Sequence, residues 1–172
     1  RLAKAVSAAP GNALYRNTYG KALLVTGATD DAFREFEAAA RLGPNSLSFA
    51  LDLGEALDRA NRIDEAAGVY ERVLSQQPKN AQALQDLANL QVRRGRFDLA
   101  VSSLRQLAEV RPEDLVLQQE LGYALARSGD VKSAAEAYEK VLERFPQAVV
   151  TRGLLAEVLF KQGRTEEALK TF

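Results

Sequence analysis

Every proline of this 172-residue chain stands in one register. Pro10, Pro44, Pro78, Pro112 and Pro146 are each 34 residues from the next. A proline cannot continue a helical hydrogen-bond ladder, and it restricts the residue before it, so the chain is interrupted at a fixed interval. Other columns keep the same period. Ala32, Ala66, Ala100, Ala134 and Ala168 are alanine every time. Gly20, Gly54, Ala88, Gly122 and Ala156 are always small. Gly27, Asn61, Gly95, Gly129 and Gly163 are turn formers that tolerate a positive φ. Phe36, Tyr70, Leu104, Tyr138 and Phe172 are large and mostly aromatic, and Tyr19, Leu53, Leu87, Leu121 and Leu155 are large and apolar. A period of this length means stacked supersecondary units that bury a core only together.

The columns predict two antiparallel helices per period. Asn12, Ser46, Asn80 and Asp114 follow the prolines by two residues and are good N-caps for a first helix. The Gly/Asn column ends that helix with a left-handed residue. Asp30, Asp64, Asp98 and Glu166 then sit near the start of a second helix, where a carboxylate suits the positive end of the dipole. Lys132 breaks this column, with Asp130 beside it. The next proline stops the second helix. The small and alanine columns let the two helices approach closely, and the aromatic column is expected to fill the space between one repeat and the next.

The pattern L-G-x-x-L, then G, then A-x-x-x-[FY]-x-x-[AVL]-[LA], then P resembles the tetratricopeptide repeat. LGEALDRANRIDEAAGVYERVL ahead of Pro78 and LGYALARSGDVKSAAEAYEKVL ahead of Pro146 carry it most clearly. The resemblance implies an all-α fold, a right-handed α-solenoid of antiparallel helix pairs. The expected organisation is one solenoid over 1–172: a tail of an earlier repeat at 1–12, full repeats at 13–46, 47–80, 81–114 and 115–148, and a partial fifth at 149–172. Two departures stand out. The aromatic usual early in the first helix is replaced by Arg16, Ala50, Leu84, Gln118 and Arg152. Gln91 occupies a column that is otherwise Leu23, Leu57, Leu125 and Leu159.

Composition narrows the function. The chain has no Cys and no His, so no disulfide, zinc–thiolate site, thiol nucleophile or Ser-His-Asp triad is available. No metal or cofactor is expected, and neither is an enzyme. Twenty-three basic and 23 acidic residues give a formal net charge of zero, which argues against a nucleic-acid coat. No apolar run approaches the length of a membrane span. The lack of Met points to a piece of a longer chain, and the apolar residues Leu2, Val6, Leu169 and Phe172 near the ends are expected to support self-association. High Ala and Arg content suggests a bacterial source, with cytoplasm and periplasm both compatible.

The resemblance implies that first helices line a concave groove for a peptide or protein segment. Helical spacing then selects the candidate site: Asn17, Lys21, Asp52, Glu55, Arg59, Gln85, Asp86, Asn89, Arg93, Gln119, Glu120, Tyr123 and Arg127. Asp52, Asp86 and Glu120 form an acidic row, costly as stacked like charges unless a ligand compensates it. Arg59, Arg93, Arg127 and Lys161 form a basic row, although Glu55–Arg59 and Glu157–Lys161 are favourably ordered i,i+4 pairs. The two-carboxylate clamp by which related co-chaperones hold acidic tails fails in all three possible windows. Asp52, Asp86 and Glu120 stand where an asparagine ladder would grip ligand backbone. A basic or donor-rich protein partner is therefore expected. Tyr123 and Phe160 are the aromatic candidates for stacking on a ligand, whereas Phe36, Tyr70, Tyr138 and Phe172 are expected to be core. The pairs Asp30–Asp31, Glu113–Asp114 and Glu166–Glu167 flank helix starts, where capping explains them. The reading is a non-enzymatic interaction scaffold. The alternative is the substrate-selecting arm of a larger enzyme, such as a glycosyltransferase, or of a secretion or export machine.

Overall fold

The structure is a computed structural model, and it describes residues 1–171. Among these residues there are eleven helices: α1 (Leu2–Ala8), α2 (Ala13–Val25), α3 (Thr29–Leu42), α4 (Leu47–Arg59), α5 (Ile63–Gln76), α6 (Ala81–Arg93), α7 (Phe97–Val110), α8 (Leu115–Ser128), α9 (Val131–Arg144), α10 (Val149–Lys161) and α11 (Thr165–Thr171).

Local chemistry sets these boundaries. The side chains of Asn12, Ser46, Asn80 and Asp114 each accept a backbone N–H of the first turn that follows them. Such caps satisfy donors that the helix cannot, each worth about 1 kcal/mol. Asp130, flagged beside the anomalous Lys132, caps α9 by accepting from Ser133. At the other end of the first helices, Asn61 has φ +58°, in the left-handed region with Gly27, Gly95, Gly129 and Gly163. The backbone closes α4 by Arg62 N–H donating to the Leu57 carbonyl and Asn61 N–H to that of Asp58. The second helices stop two residues ahead of each proline. The residue between them leaves the helical region in all five cases, from Ala9 at φ −137°, ψ 71° to Phe145 at φ −127°, ψ 72°.

The chain divides into two compact units, Arg1–Asp86 and the residues from Leu87 onward. In the first, α1 packs on α2, α2 on α3, α3 on α4 and α4 on α5. In the second, α7 packs on α8, α8 on α9, α9 on α10 and α10 on α11.

The core is built on a pairing of columns 16 residues apart. A Cβ added at Gly20 would lie 2.9 Å from Phe36 Cε1, one at Gly54 2.5 Å from Tyr70 Cε1, and one at Gly122 2.6 Å from Tyr138 Cε1. Each buried ring thus lies on the backbone of the first helix of its own pair. The ring, expected from the sequence to fill the space between one repeat and the next, also closes its own hairpin. Phe36 does both, since it also shares a buried cluster with Ala56 of α4. Where the small residue is Ala88, the residue 16 later is Leu104, so the extra methyl is matched by a narrower partner. Phe172, the fifth member of the aromatic column, lies outside the described residues.

The departures from the family pattern have local causes. Arg16, in place of an aromatic, donates to Glu35 at 2.9 Å and to the Pro10 carbonyl at 2.7 Å. Gln91 accepts from the buried Ser103 hydroxyl at 2.9 Å, so one polar residue in an apolar column is answered by another. Val6, expected among the exposed apolar ends, is instead buried, because the packing of α1 on α2 turns it inward. Leu2 is partly buried, and Leu169 is exposed.

Tyr138 carries a stability consequence. Its side chain is fully buried and its hydroxyl has no hydrogen-bond partner. Burial, then the nearby Glu157 and Tyr123, pushes its pKa up to about 12. The unfolded phenol ionises near pH 10 and the folded one does not, so the contribution of this group is fully present below pH 10 and is lost as pH rises toward 12. Tyr138→Phe is expected to raise the melting temperature at neutral pH, because it removes an unsatisfied buried donor. It should also flatten the stability loss between pH 10 and 12. Denaturant melts of both proteins across that range check this; a steeper alkaline loss in the variant would contradict it.

Candidate binding face

The expected site residues of the first unit are largely engaged with one another. Asn17 is 4% exposed and its Nδ2 donates to Asp52 Oδ2 at 2.7 Å. Lys21 Nζ lies 2.9 Å from the same oxygen. The negative charge of Asp52 is therefore met inside the fold, and the reasoning that the acidic row needs a ligand does not hold at this member. Glu55 and Arg59 pair at 2.7 Å, as their spacing suggested. Asp86 behaves differently. It is partly buried, and its carboxyl pKa is raised first by burial and then by the charges of Glu55 and Asp58, against a hydrogen bond from Gln82. Gln85 lies beside it on α6, partly buried.

In the second unit four of the expected residues, Asn89, Gln119, Glu120 and Tyr123, come together around a cleft of about 290 Å³, which Arg93 and Arg127 do not line. It is lined by Ala88, Asn89 and Val92 of α6, Leu104 of α7, Gln119, Glu120 and Tyr123 of α8, and Leu154 of α10. Three first helices supply its walls. Ala88 and Leu104, the one small–aliphatic pair among the described columns, both reach its floor. Gln119 is held in place by accepting a hydrogen bond from the buried Thr151 hydroxyl at 3.0 Å. Asn89, Gln119, Glu120 and Tyr123 were selected by helical spacing. Ala88, Val92, Leu104 and Leu154 were not, because the selection favoured polar and charged side chains.

Glu120, Tyr123 and Arg127 lie at i, i+3 and i+7 of α8 and so share one face. Tyr123 meets the Phe97 ring edge-on, with centroids 6.2 Å apart and planes at 80°. The Arg127 guanidinium sits 4.9 Å from the Phe97 ring centroid and 5.9 Å from that of Tyr123. Of the basic row, Lys161 pairs with Glu157 at 2.6 Å. Phe160 is exposed on α10 but does not line the cleft.

The carboxylate pairs stand at helix starts. Asp30 and Asp31 occupy the first turn of α3, and Asp114 caps α8 while Glu113 pairs with Arg144 at 2.8 Å. Glu166 and Glu167 begin α11, with Glu167 paired to Arg164 at 2.7 Å. Among the described residues, no group of three or more His, Cys, Asp or Glu is placed to hold a metal ion, and no helix is long and apolar enough to cross a membrane.

A family model described as tetratricopeptide repeat matches residues 51–114, 85–149 and 120–172, well over half of the chain. The chain belongs to the tetratricopeptide repeat family. Its class is an all-α helical-repeat solenoid, and solved structures of MamA proteins share the fold. MamA from strain AMB-1 is 26% identical with a TM-score of 0.82, over 93% of this chain and 87% of that one. MamA from strain MSR-1 is 25% identical with a TM-score of 0.79, over 93% and 92%. MamA from Desulfovibrio magneticus RS-1 is 20% identical with a TM-score of 0.82, over 93% and 90%. A search of curated proteins finds no match. Tetratricopeptide proteins bind proteins, and this chain is a protein-interaction scaffold.

Proposed function

We propose that the chain holds a basic or donor-rich protein segment against the inner faces of its first helices, and performs no chemistry on it. The cleft of the second unit is the observation that carries this reading. It is a concave, mostly apolar depression with a few convergent polar groups, the usual form of a site that orients a ligand. Asn89 and Gln119 bring amides to its walls and Glu120 a carboxylate, the polar groups suited to a donor-rich or basic segment. In the first unit, Asp86 is the acid whose surroundings disfavour its charge, so a cation placed there would be welcomed.

The test is affinity capture from the source organism by the full chain, with partners identified by mass spectrometry, comparing wild type with Glu120→Lys and Asp86→Lys. The expected result is loss of the principal partner from both variants at unchanged helicity by circular dichroism. Capture unaffected by either reversal overturns the proposal.

A further inference from the structure

The second unit carries a sequence of three different recognition chemistries along one helix. Glu120 offers an acid, Tyr123 an aromatic wall beside the apolar floor of Val92, Leu104 and Leu154, and Arg127 a cation. Seven residues of helix separate Glu120 from Arg127, a distance of about 10 Å. Arg127 makes no ion pair among the described residues; its recorded contacts are the faces of Phe97 and Tyr123. Stacking on two rings fixes the direction of the guanidinium and leaves its five N–H donors available, an arrangement suited to bidentate capture of a carboxylate. The cleft, with Glu120 in its wall and Arg127 one helical turn beyond its Tyr123, has the volume for one large side chain, and its floor carries no charge that would reject an apolar one.

We infer that this cleft selects a dipolar segment: a basic residue against Glu120, a large apolar side chain in the cleft, and an acidic residue against Arg127. The inference rests on the proposed binding role and narrows it, because a purely basic segment would meet Arg127 with a like charge. The apolar anchor supplies most of the affinity, since the cleft shields it from water more than it shields either charge, and the partly buried Glu120 and the exposed Arg127 supply direction and discrimination. In an extended segment, residues at alternate positions share a face, so a basic–x–apolar–x–acidic pattern presents all three side chains together over about 13 Å.

The experiment uses the full chain with methyl labelling of Val and Leu, titrated with serine-flanked nonapeptides and read at the methyl resonances of Val92, Leu104 and Leu154. The central sequences are Lys-Ser-Phe-Ser-Glu, the like-charged Lys-Ser-Phe-Ser-Lys and Glu-Ser-Phe-Ser-Glu, and the anchorless Lys-Ser-Gly-Ser-Glu. The dipolar peptide is expected to saturate these shifts at least fivefold more tightly than either like-charged peptide, and the anchorless one to leave them unmoved. In Arg127→Glu, an exposed substitution that leaves the core intact, the lysine-only peptide becomes the tightest of the four. Equal binding of the dipolar and lysine-only peptides by wild type overturns the dipolar rule while leaving the binding of basic segments standing. Shifts that ignore the Phe anchor, or no shifts with any peptide, overturn the inference outright. The capture experiment with Glu120→Lys reports on the underlying binding role separately.

Discussion

Gly54→Ala is expected to destabilise the protein, although alanine is the better helix former. In an exposed helix interior the exchange would gain about 1 kcal/mol. Here the new Cβ would lie 2.5 Å from Cε1 and 2.8 Å from Cζ of Tyr70, whose side chain is 1% exposed and has no free direction in which to move. Overpacking of this kind costs about 1–3 kcal/mol and displaces either the ring or the α4–α5 contact. The chain itself suggests the rescue: Ala88 is paired with Leu104. Tyr70→Leu alone leaves a cavity and should also destabilise. The double variant Gly54→Ala, Tyr70→Leu rebuilds the Ala–Leu pairing and should be more stable than the sum of the two single losses by about 1 kcal/mol or more, the range of coupling for residues in contact. Urea unfolding of the four proteins measures this. Strict additivity would show that the ring does not lie on the glycine.

The second large effect concerns the buried Ser103 and its partly buried partner Gln91. Ser103 is 5% exposed and donates to Gln91 at 2.9 Å. Gln91→Leu alone strands the serine hydroxyl, at about 1–3 kcal/mol, and Ser103→Ala alone removes the donor that satisfies the glutamine oxygen. Replacing both gives the apolar pairs that the second and fourth repeats carry at these positions, Leu57 with Val69 and Leu125 with Ala137. The double variant is expected to melt above wild type, since it exchanges two desolvated polar groups for apolar contact. Both single variants should melt below it. A double variant no more stable than either single one would mean that the pair is not buried together as described.

Proline spacing, the cap residues and the Gly/Asn column made the helix boundaries legible, because each acts through the backbone within a few residues of itself. The fold class followed for the same reason. Side-chain partnerships were less accessible. Asn17 and Asp52 occupy neighbouring columns, and nothing in a column says that a buried Asn17 will donate to Asp52 at 2.7 Å while Lys21 meets its charge at 2.9 Å. Gln91 was visible as an anomaly. Its answer, Ser103, was not, because that column reads Glu35, Val69, Ser103, Ala137 and Thr171 and is already mixed in polarity. The cleft was half legible. Asn89, Gln119, Glu120 and Tyr123 follow from helical spacing, but its apolar floor arises where Ala88 and Leu104 replace the glycine–aromatic pair, a change of shape and not of charge. Arg127 stands in a row of cations, whereas its setting depends on Phe97, from the start of the preceding second helix.

The most direct measurement of the central claim is site-specific photo-cross-linking in the source organism. A benzoylphenylalanine replaces Tyr123 on the inner face of α8 in one protein and the exposed Lys140 of α9 in another. The expected result is a discrete protein adduct from position 123, lost in Glu120→Lys, and none from position 140. An adduct that forms from position 140 and not from position 123 would contradict binding at the first-helix face.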